Sequence, residues 1–227
     1  MFSSFSPYLD DRNGVSVASG FVDFTTGRYS IVTAPGVGSM AQVKVFNFSL
    51  MTPIDHKKPN GPGADQCEPG DNKPAVTNAF MPFGMGYRGG LSLATGWLAG
   101  SLGGAKRIIV SQLADSGTVK IFSSGSALDG GPSTYLQSPL HHGHGAQFRE
   151  IAHFEPFGGS AGTRVATTST TTGANLLVSG VAAGGADVSV LKYEFTRSNA
   201  QSTTLQAVRL GQVWSGKGSQ PAILGGD

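Results

Sequence analysis

The residues with the greatest capacity for chemistry lie close together in the second half of the chain. His141-His142-Gly143-His144 is followed by Glu150, His153 and Glu155. Imidazole nitrogens ligate zinc, copper, nickel and haem iron. Neighbouring side chains point apart on a strand, but a loop containing glycine lets them converge. Three readings of His141, His142 and His144 follow. They form a solvated loop, they bind a transition metal or haem iron with a site shared by another chain, or they make a pH-sensitive interface.

Other motifs imply enzymes only in a particular setting. Gly158-Gly159-Ser160-Ala161-Gly162 has the Gly-x-Ser-x-Gly spacing of a nucleophile, which needs a strand-to-helix elbow to lift the serine hydroxyl out of a sheet. Gly84-Met85-Gly86-Tyr87-Arg88-Gly89 has the dinucleotide spacing, which needs a helix N-terminus to hold a pyrophosphate. A strand-like segment follows both, so both read as glycine turns. Asn47-Phe48-Ser49 fits the glycosylation pattern, but Asn47 ends an expected strand. Cys67 is the single cysteine, which excludes an internal disulfide and leaves a free loop thiol, an intermolecular bridge or a covalent attachment.

Composition narrows the class. Glycine contributes 34 of 227 residues and charged residues only 13%, against roughly 25% in ordinary domains, while 39% are apolar. Such a chain builds a core from short strands and tight turns. A formal charge of +2 without a basic cluster gives no footprint for nucleic acid. No apolar run reaches the length of a membrane span. Met1-Phe2-Ser3-Ser4 carries neither the basic nor the apolar part of a secretory signal, so secretion is neither shown nor excluded.

The elements that must position these residues come from a threefold repeat. Phe5-Ser6-Pro7-Tyr8, Phe80-Met81-Pro82-Phe83 and Phe154-Glu155-Pro156-Phe157 place prolines 75 and 74 residues apart. A repeat at fixed period governs the fold and takes precedence over local motifs. Each copy leads into an alternating strand, at Gly14-Val15-Ser16-Val17-Ala18, Gly90-Leu91-Ser92-Leu93-Ala94 and Gly162-Thr163-Arg164-Val165-Ala166. Two further strands follow in each unit, such as Tyr29–Thr33 and Val43–Phe46 in the first. Turns such as Ala114-Asp115-Ser116-Gly117 suit positive φ and predict hairpins. The expected division is a single domain over 1–227 with units of about 1–75, 76–149 and 150–227. Long loops at 51–78 and 123–147 separate the units. Phe-x-Pro suits an edge strand, since proline donates nothing to a ladder.

Four antiparallel strands per unit is the blade of a β-propeller. Gly14–Ala18, Ser30–Gly38 and Gln42–Asn47 resemble the FG-GAP/VCBS type of bacterial propeller repeat. That resemblance implies an all-β, β-propeller-like fold of three four-stranded antiparallel blades, and an extracellular or periplasmic setting. It implies an inner strand at 14–19, a third strand at 42–47 and an outer strand formed by the next Phe-x-Pro. Members of the family often carry an aspartate-rich calcium loop after the inner strand. Here only Asp23 remains as a carboxylate, whereas calcium wants six to eight oxygens, so calcium is not expected. Phe21, Phe24, Trp97 and Leu98 make these turn tips apolar instead, either for packing between blades or as a partner surface.

Three blades fall short of the four to eight that close a ring. The expectation is therefore an open arc completed by a second copy, by a different subunit or by the missing part of a longer polypeptide forming a larger propeller, with Phe2–Tyr8 pairing as an outer strand and Phe5 and Tyr8 at the contact. Val15, Val17, Ile31, Val43, Val45, Leu91, Leu93, Ile109, Val119, Ile121, Val165, Leu177 and Val190 are the expected core. The function this favours is a non-enzymatic scaffold or binding module for adhesion or assembly. The alternative is a metal- or cofactor-binding protein or enzyme that uses the 123–147 loop.

Overall fold

A computed structural model describes residues 5–8, 12–23, 28–47, 75–98, 106–124, 148–159, 162–170, 173–181, 187–197 and 205–217. They form twelve strands, and no helix is present among them. The first sheet contains β1 (Val15–Asp23), β2 (Arg28–Pro35), β3 (Val43–Asn47) and β4 (Ala75–Phe80). The second contains β5 (Leu91–Gly96), β6 (Arg107–Gln112), β7 (Val119–Ser124) and β8 (Phe148–Phe154). The third contains β9 (Arg164–Thr170), β10 (Gly173–Val181), β11 (Asp187–Arg197) and β12 (Leu205–Lys217). Each sheet is an antiparallel meander in chain order, so the protein is all-β with three four-stranded, blade-like sheets.

Local sequence explains the strands. Val, Ile and Phe are dense in β6 and β7, which lie between other strands and are buried on both faces. The hairpin between them turns through Asp115 and Gly117, with φ of 64° and 66°, as the turn residues require. The third sheet departs from short strands. β11 and β12 run for 11 and 13 residues, with two register shifts between them that let the long pair bend.

The cores lie between sheets. One cluster joins Val32, Val43 and Val45 of the first sheet to Leu91, Leu93, Ile108, Val110 and Phe122 of the second. The other joins Ile109, Val119 and Ile121 of the second to Val165, Leu176, Val178 and Phe195 of the third. Each face of the middle sheet therefore serves a different core.

Four expectations need correction. Val15 and Val17 are 42% and 60% exposed, because no described element covers their face of β1. Ile31 and Leu177 are only half-buried. Phe-x-Pro is not itself the outer strand. β4 ends at Phe80 and β8 at Phe154, and Pro82 and Pro156 fall in the turns just beyond, where no ladder bond is lost. Residues 5–8 are not a strand either, since they fold onto the first sheet of their own chain.

Candidate interaction surface

Each sheet contacts the next through its first strand, and the same set of bonds recurs. β1 packs on β5, and β5 on β9. The Leu93 amide donates to Ser16 Oγ at 3.1 Å, and the Val165 amide donates to Ser92 Oγ at 3.2 Å. Three residues beyond each serine the direction reverses. Thr95 Oγ1 donates to the Ser19 carbonyl at 2.5 Å, and Thr167 Oγ1 to the Thr95 carbonyl at 2.8 Å. One residue further, a glycine lets the strands approach. A Cβ on Gly20 would lie 2.7 Å from Lys106 Cδ and 3.1 Å from Thr95 Oγ1, and one on Gly96 would lie 2.8 Å from Thr167 Cγ2. Next, the Phe21 carbonyl accepts from the Lys106 amide and the Trp97 carbonyl from the Ala174 amide, both at 2.7 Å. The recurring pattern is Ser-x-x-x-Gly, at Ser16/Gly20 and Ser92/Gly96.

The apolar turn tips belong to this joint. Val22 and Leu98 occupy equivalent places and are fully buried, Leu98 at 1% exposure with a short parallel bridge to Ala174. Phe21 is half-buried and Trp97 is 50% exposed. Leu98 is therefore inter-sheet packing, and Trp97 is what remains available at the rim. Phe24 lies outside the described residues.

The Phe-x-Pro-aromatic copies brace the same joints. The Phe80 ring lies 4.8 Å from Phe122 and 5.6 Å from Phe148, and the Phe154 ring 4.8 Å from Tyr193. Phe83 receives Lys120 Nζ at 5.3 Å from its centroid, and its ring meets Tyr87. In the first copy, Phe5 lies 5.0 Å from Phe46 and Tyr8 receives Lys44 Nζ at 4.6 Å. The Tyr8 hydroxyl donates toward the Thr33 and Gln42 carbonyls (2.9 and 2.7 Å), and Lys44 donates to the Pro7 carbonyl. Burial pushes the Lys44 ammonium below its ordinary range. Phe5 and Tyr8 thus hold, on the first sheet, the places of Phe80 and Phe83 on the second.

Of the chemical candidates, His141, His142, His144, Ser160 and Cys67 lie outside the described residues. His153 and Glu150 are described. Glu150 bridges Lys120 Nζ at 2.9 Å and His153 Nδ1 at 2.7 Å; Lys120 and Glu150 are half-buried and only His153 is exposed. Among the described residues no group of three His, Cys, Asp or Glu could hold a metal. Asp23, the remaining carboxylate of the degenerate calcium loop, is buried and accepts from Asn47 Nδ2 at 3.4 Å, while Asn47 Oδ1 accepts from Ser30. These two side chains serve the sheet, which removes Asn47 from the surface a glycan needs. Gly84–Gly89 is a turn region with no helix after it, so the dinucleotide spacing has no helix N-terminus to work with.

Sequence reasoning missed the residues that build the joints: Ser16, Ser92, Ser19, Thr95, Thr167, Gly20 and Gly96. Their signal was present as one hydroxyl and one glycine at matching places in two copies. No helix among the described residues is long and apolar enough to cross a membrane. Comparison with family models, with curated proteins and with solved structures gave no match.

Proposed function

We propose that the chain is a non-enzymatic scaffold or binding module of β-propeller type that assembles with another protein chain. The observation that carries this reading is a mismatch between equivalent strands. Leu91 and Leu93 of β5 are 0% and 7% exposed, and Thr163 just before β9 and Val165 within it are 0% and 5%. Val15 and Val17, at the same places in β1, are largely exposed. Two of three matching faces are covered by a neighbouring sheet, and an apolar face of this kind is what an interaction partner covers. The resemblance to FG-GAP/VCBS repeats supports an extracellular or periplasmic role in adhesion or assembly.

The test is purification from the cells that make it, under mild conditions. The reading expects a second protein chain at fixed stoichiometry, lost on Val15→Asp with Val17→Asp while the melting temperature of the isolated chain is unchanged. A chain that purifies alone, and behaves identically with both substitutions, overturns it. The alternative, a metal or cofactor held by His141, His142 and His144, is tested by metal analysis of the purified chain. Stoichiometric metal lost on changing all three to Ala would establish that reading instead.

A further inference from the structure

We infer that the Val15–Val17 face of β1 is the docking site for a four-stranded antiparallel sheet of a different protein chain, whose first strand carries Ser-x-x-x-Gly. The inference rests on the assembly reading above and specifies the partner.

The joints within the chain define what the face accepts. β5 and β9 each present the same set of groups to the sheet before them. These are a backbone amide at Leu93 or Val165, a threonine hydroxyl at Thr95 or Thr167, and the apolar side chains of Leu91 and Leu93 or of Val165. β1 presents the same set in the same register. Val17 pairs with Thr33 as Leu93 pairs with Val110, which places the Val17 amide where the Leu93 amide lies. Ser19 supplies the hydroxyl in place of Thr95. Val15 and Val17 supply the apolar surface. Half-buried Ile31 extends it across the sheet as Ile108 does on the second, while Phe46 beside it is already covered by Phe5, as Phe122 is by Phe80. A partner strand must therefore offer a serine hydroxyl to the Val17 amide and a carbonyl three residues on to Ser19. At the fourth residue it must have no Cβ.

The first Phe-x-Pro copy agrees with this. Residues 80–83 and 154–157 mark where one sheet's outer strand ends against the next sheet. Residues 5–8 make the corresponding contacts on the first sheet, with Phe5 on Phe46 and Tyr8 under Lys44. The first sheet is thus already equipped at its edge as a sheet that follows another.

The same comparison excludes a second copy joined head to tail. The third sheet would have to provide the docking strand, but β9 carries Arg164 where β1 and β5 carry Ser16 and Ser92, and Thr168 where they carry Gly20 and Gly96. Arg164 cannot accept from an amide. A Cβ at position 168 would crowd the Ser19 hydroxyl as a Cβ on Gly20 would crowd Thr95 Oγ1, at 3.1 Å. The series of joints therefore stops at β9, and the complement of β1 must come from elsewhere.

The experiment appends a copy of the first unit, residues 1–80, ahead of the full chain, with Cys67→Ser in both copies and Val17→Cys in the original. The introduced thiol reports coverage of the face through its rate of maleimide labelling. The expected result is labelling slowed about tenfold or more relative to the unfused chain. Ser16→Arg with Gly20→Thr in the appended unit, which copies the third sheet, should restore fast labelling. Circular dichroism reports whether the appended unit is folded. The second unit, with Ser92 and Gly96, serves in the same position if the first does not fold. Unchanged labelling with a folded unit, protection that survives Ser16→Arg with Gly20→Thr, or failure of both units to fold each overturns the inference. So does light scattering that shows the unaltered chain to be a dimer dispersed by Val17→Asp, since a second copy would then own the face. If the appended unit protects the thiol but no native partner is found, the assembly reading fails while the face keeps its specificity. If a native partner binds but the appended unit does not protect, the partner docks elsewhere.

Discussion

β1 and β5 have nearly the same sequence and opposite surroundings. Gly-Val-Ser-Val-Ala in one and Gly-Leu-Ser-Leu-Ala in the other pair with their second strands in the same register. Yet Leu93 is buried and Val17 is not. A strand's alternation shows that one side wants cover, but the cover comes from the neighbouring sheet. Because the cores lie between sheets, burial in this chain is a property of order along the series, and the first member of the series lacks its predecessor among the described residues.

The sharpest way to break the comparison is to truncate both residues. Leu93→Ala leaves a cavity in the first joint and should cost about 2–5 kcal/mol in denaturant unfolding. Val17→Ala should stay within about 0.5 kcal/mol. Equal losses would mean that β1 is covered after all. Adding volume at the joint should come next. Gly96→Val forces a Cβ against Thr167 and should cost about 1–3 kcal/mol. Thr168→Gly on the third sheet has no joint to relieve and should cost only the backbone freedom of glycine, about 0.5–1 kcal/mol. Ser92→Ala removes the acceptor of the Val165 amide and should cost about 1 kcal/mol in the same measurement.

The smallest effect is in pH dependence. Burial raises the Tyr87 phenol above its ordinary range; its hydrogen bond with Ala114 opposes this and the charge of Asp115 adds to it. The folded state therefore holds that proton more tightly than the unfolded state. Stability from Tyr87 is fully present below about pH 10 and is lost as pH rises through the folded-state value. Tyr193 is raised as well, first by burial, and acts with the same sign. Lys44 acts with the opposite sign in the alkaline range, since burial lowers it. Tyr87→Phe should flatten the alkaline decline of melting temperature. An unchanged decline would remove Tyr87 from the account.

Much of the architecture was legible in the chain. The proline spacing and the strand alternation give three sheets of four strands, and the hairpin turn at Asp115 and Gly117 follows from residue type alone. What was not legible concerns neighbours. The periodicity of Val15 and Val17 is the same as that of Leu91 and Leu93, so their opposite burial could not be read from it. Leu98 and Trp97 are adjacent apolar tip residues, and only the bridge to Ala174 separates the buried one from the exposed one. Phe-x-Pro marks the end of an outer strand rather than its body, because the strand needs the amides that a proline lacks. Ser16 and Ser92 read only as the polar positions of alternating strands, and Gly20 and Gly96 as turn glycines, until the joints gave each a contact.

Amide hydrogen exchange on the isolated full chain tests the central claim most directly. Leu93 and Val165 donate across joints, whereas the described residues offer the Val17 amide no such hydroxyl. The account predicts that the Val17 amide exchanges about tenfold or more faster than those of Leu93 and Val165 at neutral pH. Equal protection of all three amides would show that the first sheet is covered like the others, and would contradict it.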